Sequence, residues 1–216
     1  MKIISLAFIA TFTVAPAFAQ LENTRWKTIL EVNGPINTLI DFRKDTVLIY
    51  TVADSTMIER MTYKSDDTSF TLQKIDGQSD CDNTPGKYSY TIKRDNLILS
   101  LLNDDCYDRY SVIQNTTWTK WKDHTIIKVE EAILKQYTGV YGLDDAHPII
   151  ITLDREVLYA EGPNNGLPKS ALTPITETKF FLRIAGVEMD FVKDANGNVV
   201  KIISHEKEDY ELTKIK

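Results

Sequence analysis

Few residues in this chain have the types and spacing that catalysis or metal binding requires. The three histidines, His124, His147 and His205, are far apart in sequence, and no serine stands in the G-x-S-x-G pattern of a nucleophile elbow. His147 follows Asp144 and Asp145, but such a group is more typical of a solvated loop than of a metal site. A triad can be assembled in space without any motif. The residues nevertheless favour a protein that is not an enzyme, with no metal and no cofactor.

The first twenty residues, MKIISLAFIATFTVAPAFAQ, have the three parts of an export signal. Lys2 supplies the positive charge, an apolar run covers residues 3–14, and the small residues Ala17 and Ala19 suit a signal peptidase. We predict that residues 1–19 are a signal peptide and that the product is periplasmic or secreted. The apolar run is too short to span a bilayer of about 30 Å as a helix. No cysteine follows it to accept a lipid, so no retained membrane anchor is expected.

The two cysteines, Cys81 and Cys106, are expected to form a disulfide in that oxidising compartment. They are not in C-x-x-C spacing and no histidine lies near them, which argues against a redox or metal role. A bridge between them closes a loop of about 25 residues, worth roughly 3 kcal/mol in chain-entropy models. The acidic stretch at 103–108 lacks the spaced glycine and the bidentate glutamate of a calcium loop. We therefore interpret it as a polar hairpin pinned by the disulfide.

Composition excludes one class of partner. The chain has 216 residues and a formal net charge of −6, and its lysines and arginines are scattered singly among acidic residues. A nucleic-acid interface needs clustered basic residues, so nucleic acid is not an expected partner. The length corresponds to one large or two small domains.

The positions of these residues depend on a pattern of short β-strands. Runs of β-branched and aromatic residues alternate with polar ones and are broken by Asn, Asp, Gly or Pro. In the first half, this pattern predicts eight strands near 25–31, 37–43, 46–51, 57–64, 70–75, 87–93, 97–101 and 108–113. Hairpin connections make these strands a meander, and closure into a barrel removes its exposed edges. The predicted first domain covers residues 20–120.

In such a barrel the first and last strands are neighbours. Trp26 would lie on the first strand and Arg109 on the last, so the guanidinium could cover the indole and help to close the barrel. Polar groups inside the barrel would come first from Tyr88, Tyr90 and Arg109. Alternation puts Tyr88 and Tyr90 on one face, which makes these three residues the possible lining of a ligand cavity.

Residues 121–136 are predicted to be a helical connector. Apolar residues from Ile126 to Leu134 have helical spacing, with Asp123 as the N-cap. The remaining residues, 137–216, again read as about eight strands, near 139–143, 149–153, 157–160, 171–175, 179–184, 187–192, 199–206 and 210–215. We therefore predict an all-β fold of two small antiparallel eight-stranded barrels joined by one helix.

Both halves resemble known domains. A Trp-Lys pair on the first strand, the meander, the arginine on the last strand and the following helix resemble the lipocalin-like domains of exported bacterial proteins, over residues 21–136. The glycine usual two residues before the tryptophan is absent, because Thr24 stands there. This resemblance implies lipocalin-like barrels and a ligand cavity. The alternative is a barrel filled by its own side chains.

The second half, from YTGVYGL at Tyr137 through KFF to MDFVKDANGNVVKI, is similar to a small lipocalin-like β-domain of unknown function. That domain is appended to the C-terminus of serine β-lactamase-like hydrolases. The resemblance implies an accessory barrel, and no S-x-x-K motif precedes it here.

We expect an exported, non-enzymatic binding protein. It would hold a small apolar or amphipathic ligand inside a barrel or bind a partner on its surface. The alternative is an accessory or structural envelope protein that works with a separate hydrolase. Candidate partners are accordingly a small lipophilic molecule or an envelope protein.

Overall fold

The computed structural model describes residues 21–144, 146–206 and 208–216. It confirms the all-β fold class, with two closed eight-stranded antiparallel barrels joined by a segment that contains a short helix. The predicted signal peptide, residues 1–19, lies outside the described residues. Neither helix in the described part of the chain has the length and apolarity needed to cross a membrane.

The first barrel is a simple meander in which each strand pairs with the next. Its strands are β1 (Thr24–Glu31), β2 (Pro35–Phe42), β3 (Thr46–Thr51), β4 (Met57–Ser65), β5 (Ser69–Gly77), β6 (Gly86–Lys93), β7 (Asn96–Asp104) and β8 (Thr117–Lys120). Alternate residues point inward and form one core, which includes the fully buried Trp26, Phe70 and Trp118. Strand β8 pairs with both β7 and β1 and thereby closes the barrel.

The prediction of a last strand at 108–113 is wrong. Helix α1 (Tyr107–Ile113) occupies these residues, and β8 follows it. Arg109 and Ile113 are buried while Ser111 between them is exposed, which fits helical spacing and not the alternation of a strand. Arg109 therefore does not face Trp26 across the closing strands. That place belongs to Lys120, the register partner of Trp26, whose ammonium group lies 5.9 Å from the centre of the indole ring.

The connector is less helical than predicted. Helix α2 (Glu131–Tyr137) begins after Glu130, and residues 121–130 are irregular. The run of β-branched residues at 125–127 disfavours a helix, and the amide of Ile127 donates to the carbonyl of Pro174 at 3.2 Å instead. Asp123 is therefore not an N-cap; its carboxylate is paired with Arg25.

The second barrel is also a closed meander. Its strands are β9 (Gly139–Gly142), β10 (Ile149–Asp154), β11 (Val157–Gly162), β12 (Leu167–Pro174), β13 (Lys179–Leu182), β14 (Val187–Lys193), β15 (Val199–His205) and β16 (Asp209–Lys214). The last strand, β16, pairs with β9. Helix α2 packs against one end through the buried Leu134 and Tyr137. The opposite end lies where β9 and β13 end and where β10 and β16 begin, and none of its described residues is helical.

The two barrels touch each other through a small apolar cluster and several hydrogen bonds. Leu39 and Val52 of the first barrel pack against Phe181 of the second. Arg183 donates from Nε to the carbonyl of Val52 at 2.8 Å, and Lys27 donates from Nζ to the carbonyl of Gly186 at 2.5 Å. These contacts join the turn between β13 and β14 to the wall of the first barrel.

The predicted disulfide is confirmed. Cys81, in the loop between β5 and β6, is bonded to Cys106, which stands directly before α1. Both cysteines are buried. The bridge ties this loop to the start of the helix.

Replacing both cysteines, Cys81→Ser together with Cys106→Ser, should lower the free energy of unfolding by roughly 3 kcal/mol, because the unfolded chain regains the freedom of a 25-residue loop. Urea titration followed by circular dichroism measures this change. The wild-type protein unfolded under reducing conditions is the control and should match the double variant. Equal midpoints for the oxidised wild type and the variant would show that the bridge adds no stability.

Candidate functional site

The main cavity of the first barrel lies at the end where α1 packs. It has a volume of about 660 Å³, and we call it the α1 cavity. Its walls come from the end of β1 and the following turn, from β3 and β4, from the loop after β5, and from α1. The apolar lining residues are Leu30, Val32, Ile49, Ile58, Met61, Tyr107, Val112 and Ile113. The polar lining residues are Glu31, Asn33, Glu59, Gln78, Ser79, Asp108, Arg109 and Ser111.

A buried ion pair holds α1 in place. Asp104, the last residue of β7, accepts hydrogen bonds from Arg109 Nε at 2.6 Å and Nη2 at 2.7 Å. The same carboxylate accepts bonds from the hydroxyl of Tyr88 and, at 2.9 Å, from the amide of Cys106. Arg109 Nη2 also donates to the carbonyl of Thr84 at 2.7 Å. The helix is thus tied to two strands and to the disulfide loop.

The protonation states of this cluster follow from its hydrogen bonds. Burial opposes the charge on Asp104, but the hydrogen bonds from Arg109 and Tyr88 outweigh it and lower the pKa of the carboxyl group. Burial, together with the bond to Asp104, raises the pKa of Tyr88 far above its ordinary value. At neutral pH the cluster is therefore an ionised carboxylate between a guanidinium and a neutral phenol.

Gly86 makes this arrangement possible. A Cβ at this position would lie 2.1 Å from Asp104 Oδ2 and 2.9 Å from Arg109 Nε. Contacts of this kind would displace the carboxylate, so only glycine lets β6 pass so close to the ion pair. The bonds of Nε and Nη2 anchor the helix, whereas Arg109 Nη1 is sealed from solvent and has no partner in the described part of the chain.

Among the polar lining residues of the α1 cavity, Glu59 stands out because its carboxylate is buried. Glu59 is 6% exposed, and its two oxygens accept bonds from the hydroxyl of Ser79 at 2.8 Å and from the amide of Ser79 at 3.2 Å. Each oxygen retains acceptor capacity, because a carboxylate has about four lone-pair sites. Glu31 and Asp108 add acidic character to the lining. The cavity therefore combines an apolar floor with hydrogen-bond acceptors.

The structure brings together only part of the predicted lining. Tyr88 and Tyr90 both point inward on β6, as alternation predicted, but they pack on Phe70 in the core and do not line the α1 cavity. Tyr88 reaches Arg109 through Asp104, whereas the hydroxyl of Tyr90 donates to the carbonyl of Asp66. Arg109 does line the cavity, from α1 rather than from a strand.

Sequence reasoning missed Glu59 and Asp104. A signal for Glu59 was present, because strand alternation places it on the same inward face as Met61 and Tyr63. A charged residue on such a face is unusual and marks a special environment. Asp104 carried no comparable signal, since it stands among other acidic residues at the end of its strand.

The three histidines lie in separate places. His124 packs on Phe181 near the contact between the barrels, and His147 lies 3.3 Å from Asp144 in an exposed turn. His205 lies between two carboxylates, 2.9 Å from Asp190 and 2.8 Å from Asp209. Although burial opposes its charge, these bonds raise the pKa of His205. Across the described ranges, no group of three or more His, Cys, Asp and Glu side chains is placed to hold a metal ion.

Comparison with known proteins adds no family. No family model matches the chain, and no curated protein matches it significantly.

Replacing Asp104 by Asn should cost about 3–5 kcal/mol of unfolding free energy at pH 7, because it leaves the buried Arg109 charge uncompensated. Asp104 has a lowered pKa in the folded state, so its stabilising effect is present above the unfolded pKa near 4 and is lost as the pH falls below it. The difference between Asp104→Asn and wild type should therefore shrink on acidification. Urea titrations at several pH values measure it.

The neighbouring exposed residue provides the control, because Asp105→Asn changes the same functional group outside the ion pair. It should leave stability within about 0.5 kcal/mol of wild type. A loss of similar size in both variants, or a difference that does not depend on pH, would contradict the assigned role of Asp104.

Proposed function

We propose that this protein binds a small amphipathic molecule in the α1 cavity and does not transform it. The observation that carries the proposal is the cavity itself. Its volume of about 660 Å³ falls within the roughly 300–1,000 Å³ of small-molecule sites, which are mostly apolar with a few placed polar groups. The interior of the barrel is filled by side chains such as Trp26, Phe70 and Trp118, so the ligand would lie at the end of the barrel, beside α1.

The lining favours a ligand with an apolar body and a group that donates hydrogen bonds. Val32, Ile58 and Val112, which keep part of their surface accessible, would contact the apolar body. Glu59 is an acceptor in a desolvated wall, where a hydrogen bond to a charged group is worth about 1.5–3 kcal/mol. An anionic head group would meet the carboxylates of Glu31, Glu59 and Asp108. The guanidinium of Arg109 also lines the cavity, but its charge is paired with Asp104, so an amine or hydroxyl head group is preferred.

Binding without catalysis agrees with the arrangement of the side chains. Glu59 is hydrogen-bonded to Ser79, and neither residue is paired with a histidine in the described structure. A serine nucleophile needs an adjacent general base. The resemblance to lipocalin-like domains points in the same direction, although likeness of fold alone does not assign function.

The proposal also includes export of the protein from the cytoplasm. The layout of residues 1–19 is typical of a signal peptide, and a disulfide between Cys81 and Cys106 suits an oxidising compartment. We place the protein in the periplasm or outside the cell, where it would hold or carry its ligand.

A fluorescence titration tests the proposal. N-phenyl-1-naphthylamine, a neutral apolar fluorophore with one N–H donor, should show a saturable increase in emission with the full chain. Ser111→Trp places an indole in the rim of the α1 cavity and should weaken this binding at least about tenfold, a loss of 1.4 kcal/mol.

Asn196→Trp adds the same side chain at an exposed turn of the second barrel and should bind the probe as wild type does. Identical titration curves for wild type and Ser111→Trp would overturn the proposal. Circular dichroism of both variants confirms that they fold.

A further inference from the structure

The second barrel has a cavity of its own at the end opposite α2. This open cavity has a volume of about 420 Å³, and we call it the mouth cavity. Its apolar walls include Ile149, Leu182, Val187, Met189 and Leu212. Most of these residues are also members of the barrel core, so the cavity is a continuation of the core that opens to solvent.

One hydroxyl group lies inside this apolar wall. Ser204 points into the barrel from β15, on the same face as Ile202, and is paired in register with Met189. The residue is only 7% exposed and lines the mouth cavity. In the described part of the chain its side chain makes no hydrogen bond, and its oxygen is not sealed from the open space.

An unpaired hydroxyl in an apolar wall costs free energy unless something satisfies it. In the neighbouring positions of the same inward face, the barrel uses isoleucine, valine and methionine. Ser204 thus provides a hydrogen-bonding point in the buried part of the wall, where its neighbours offer apolar contact. The other uncharged polar lining residues, His147, Asn165 and Tyr210, are exposed at the rim. A ligand with one polar group could satisfy it.

The wall also restricts the charge of such a ligand. The charged lining residues, Asp144 and Glu206, lie at the rim, and among the described residues no charged side chain lines the interior beside Ser204. An ionised group inside the cavity would lose its hydration and gain one hydrogen bond to a hydroxyl. That bond does not offset the free energy of desolvating the charge. A neutral group that donates or accepts one hydrogen bond fits.

We infer that the mouth cavity is a second binding site, for a neutral and mainly aliphatic molecule that carries one hydroxyl or carbonyl group. Ser204 provides the hydrogen bond, and Met189 and its neighbours provide the apolar contact. The site is separate from the α1 cavity, and its existence does not depend on binding there.

The methionines allow both cavities to be observed in one experiment. Met61 lines the α1 cavity, Met189 lines the mouth cavity, and Met57 is exposed. The full chain is labelled with ¹³C at the methionine methyl groups, the signals are assigned with single Met→Leu variants, and 1-octanol is added. The Met189 signal should shift and saturate, while the Met57 signal stays unchanged.

Four comparisons make the test specific. Ser204→Ala should weaken 1-octanol binding at Met189 about two- to tenfold, as expected for one hydrogen bond. It should leave the binding of propylbenzene, which cannot form that bond, unchanged. Ser170→Ala alters a serine of the same barrel outside the cavity and should have no effect, and octanoate at pH 7 should not shift Met189.

A Met189 signal that does not move up to the solubility limit of 1-octanol would overturn the inference, whatever happens at Met61. Equal 1-octanol affinity in wild type and Ser204→Ala would refute the role of the hydroxyl. A shift at Met61 alone would support the α1 cavity and reject the mouth cavity, so the two proposals can fail separately.

Discussion

The buried ion pair between Asp104 and Arg109 is the constraint on which the first barrel's cavity depends. The pair links the last residue of β7 to the helix that follows and draws α1 across the end of the barrel. The disulfide at Cys106 tethers the start of the same helix to the loop after β5. Without these ties a seven-residue helix would have little stability of its own, since isolated helices of fewer than about 12 residues are marginal in water.

The two barrels share a topology but differ at their ends. In the first barrel a helix forms one wall of the cavity, and Glu59 adds a carboxylate to that wall. In the second barrel α2 packs against one end and the other stays open, with Ser204 as the polar residue of its inner wall. Their polar groups suit different ligands: a donor-bearing amphiphile in the α1 cavity, and a neutral molecule in the mouth cavity.

Most strands could be predicted from the sequence because alternation follows directly from the two-residue period of a strand. The helix after Cys106 could not be predicted, because a short run that contains Tyr, Arg, Val and Ile suits either a strand or a helix. Long-range contacts decide the structure of this region, because Arg109 is buried on its partner Asp104 and Ile113 is buried in the core. A strand would place Ser111 on the same buried face, whereas the helix leaves it exposed. The prediction of a helix over the whole connector was also wrong. The apolar residues there have helical spacing, but the β-branched residues at 125–127 disfavour a helix, and the amide of Ile127 bonds to Pro174 instead.

The candidate site was harder to predict than the fold, because cavities arise from what the chain leaves unfilled. Arg109 was predicted to line a cavity and to cover Trp26, both from the last strand; it lines the α1 cavity from helix α1 and is paired with Asp104 instead. Native mass spectrometry of the protein purified from its own source tests the central claim most directly. The account predicts a fraction with the added mass of a small organic molecule, which Ser111→Trp strongly reduces. An identical mass excess in wild type and Ser111→Trp, or none in either, would contradict it.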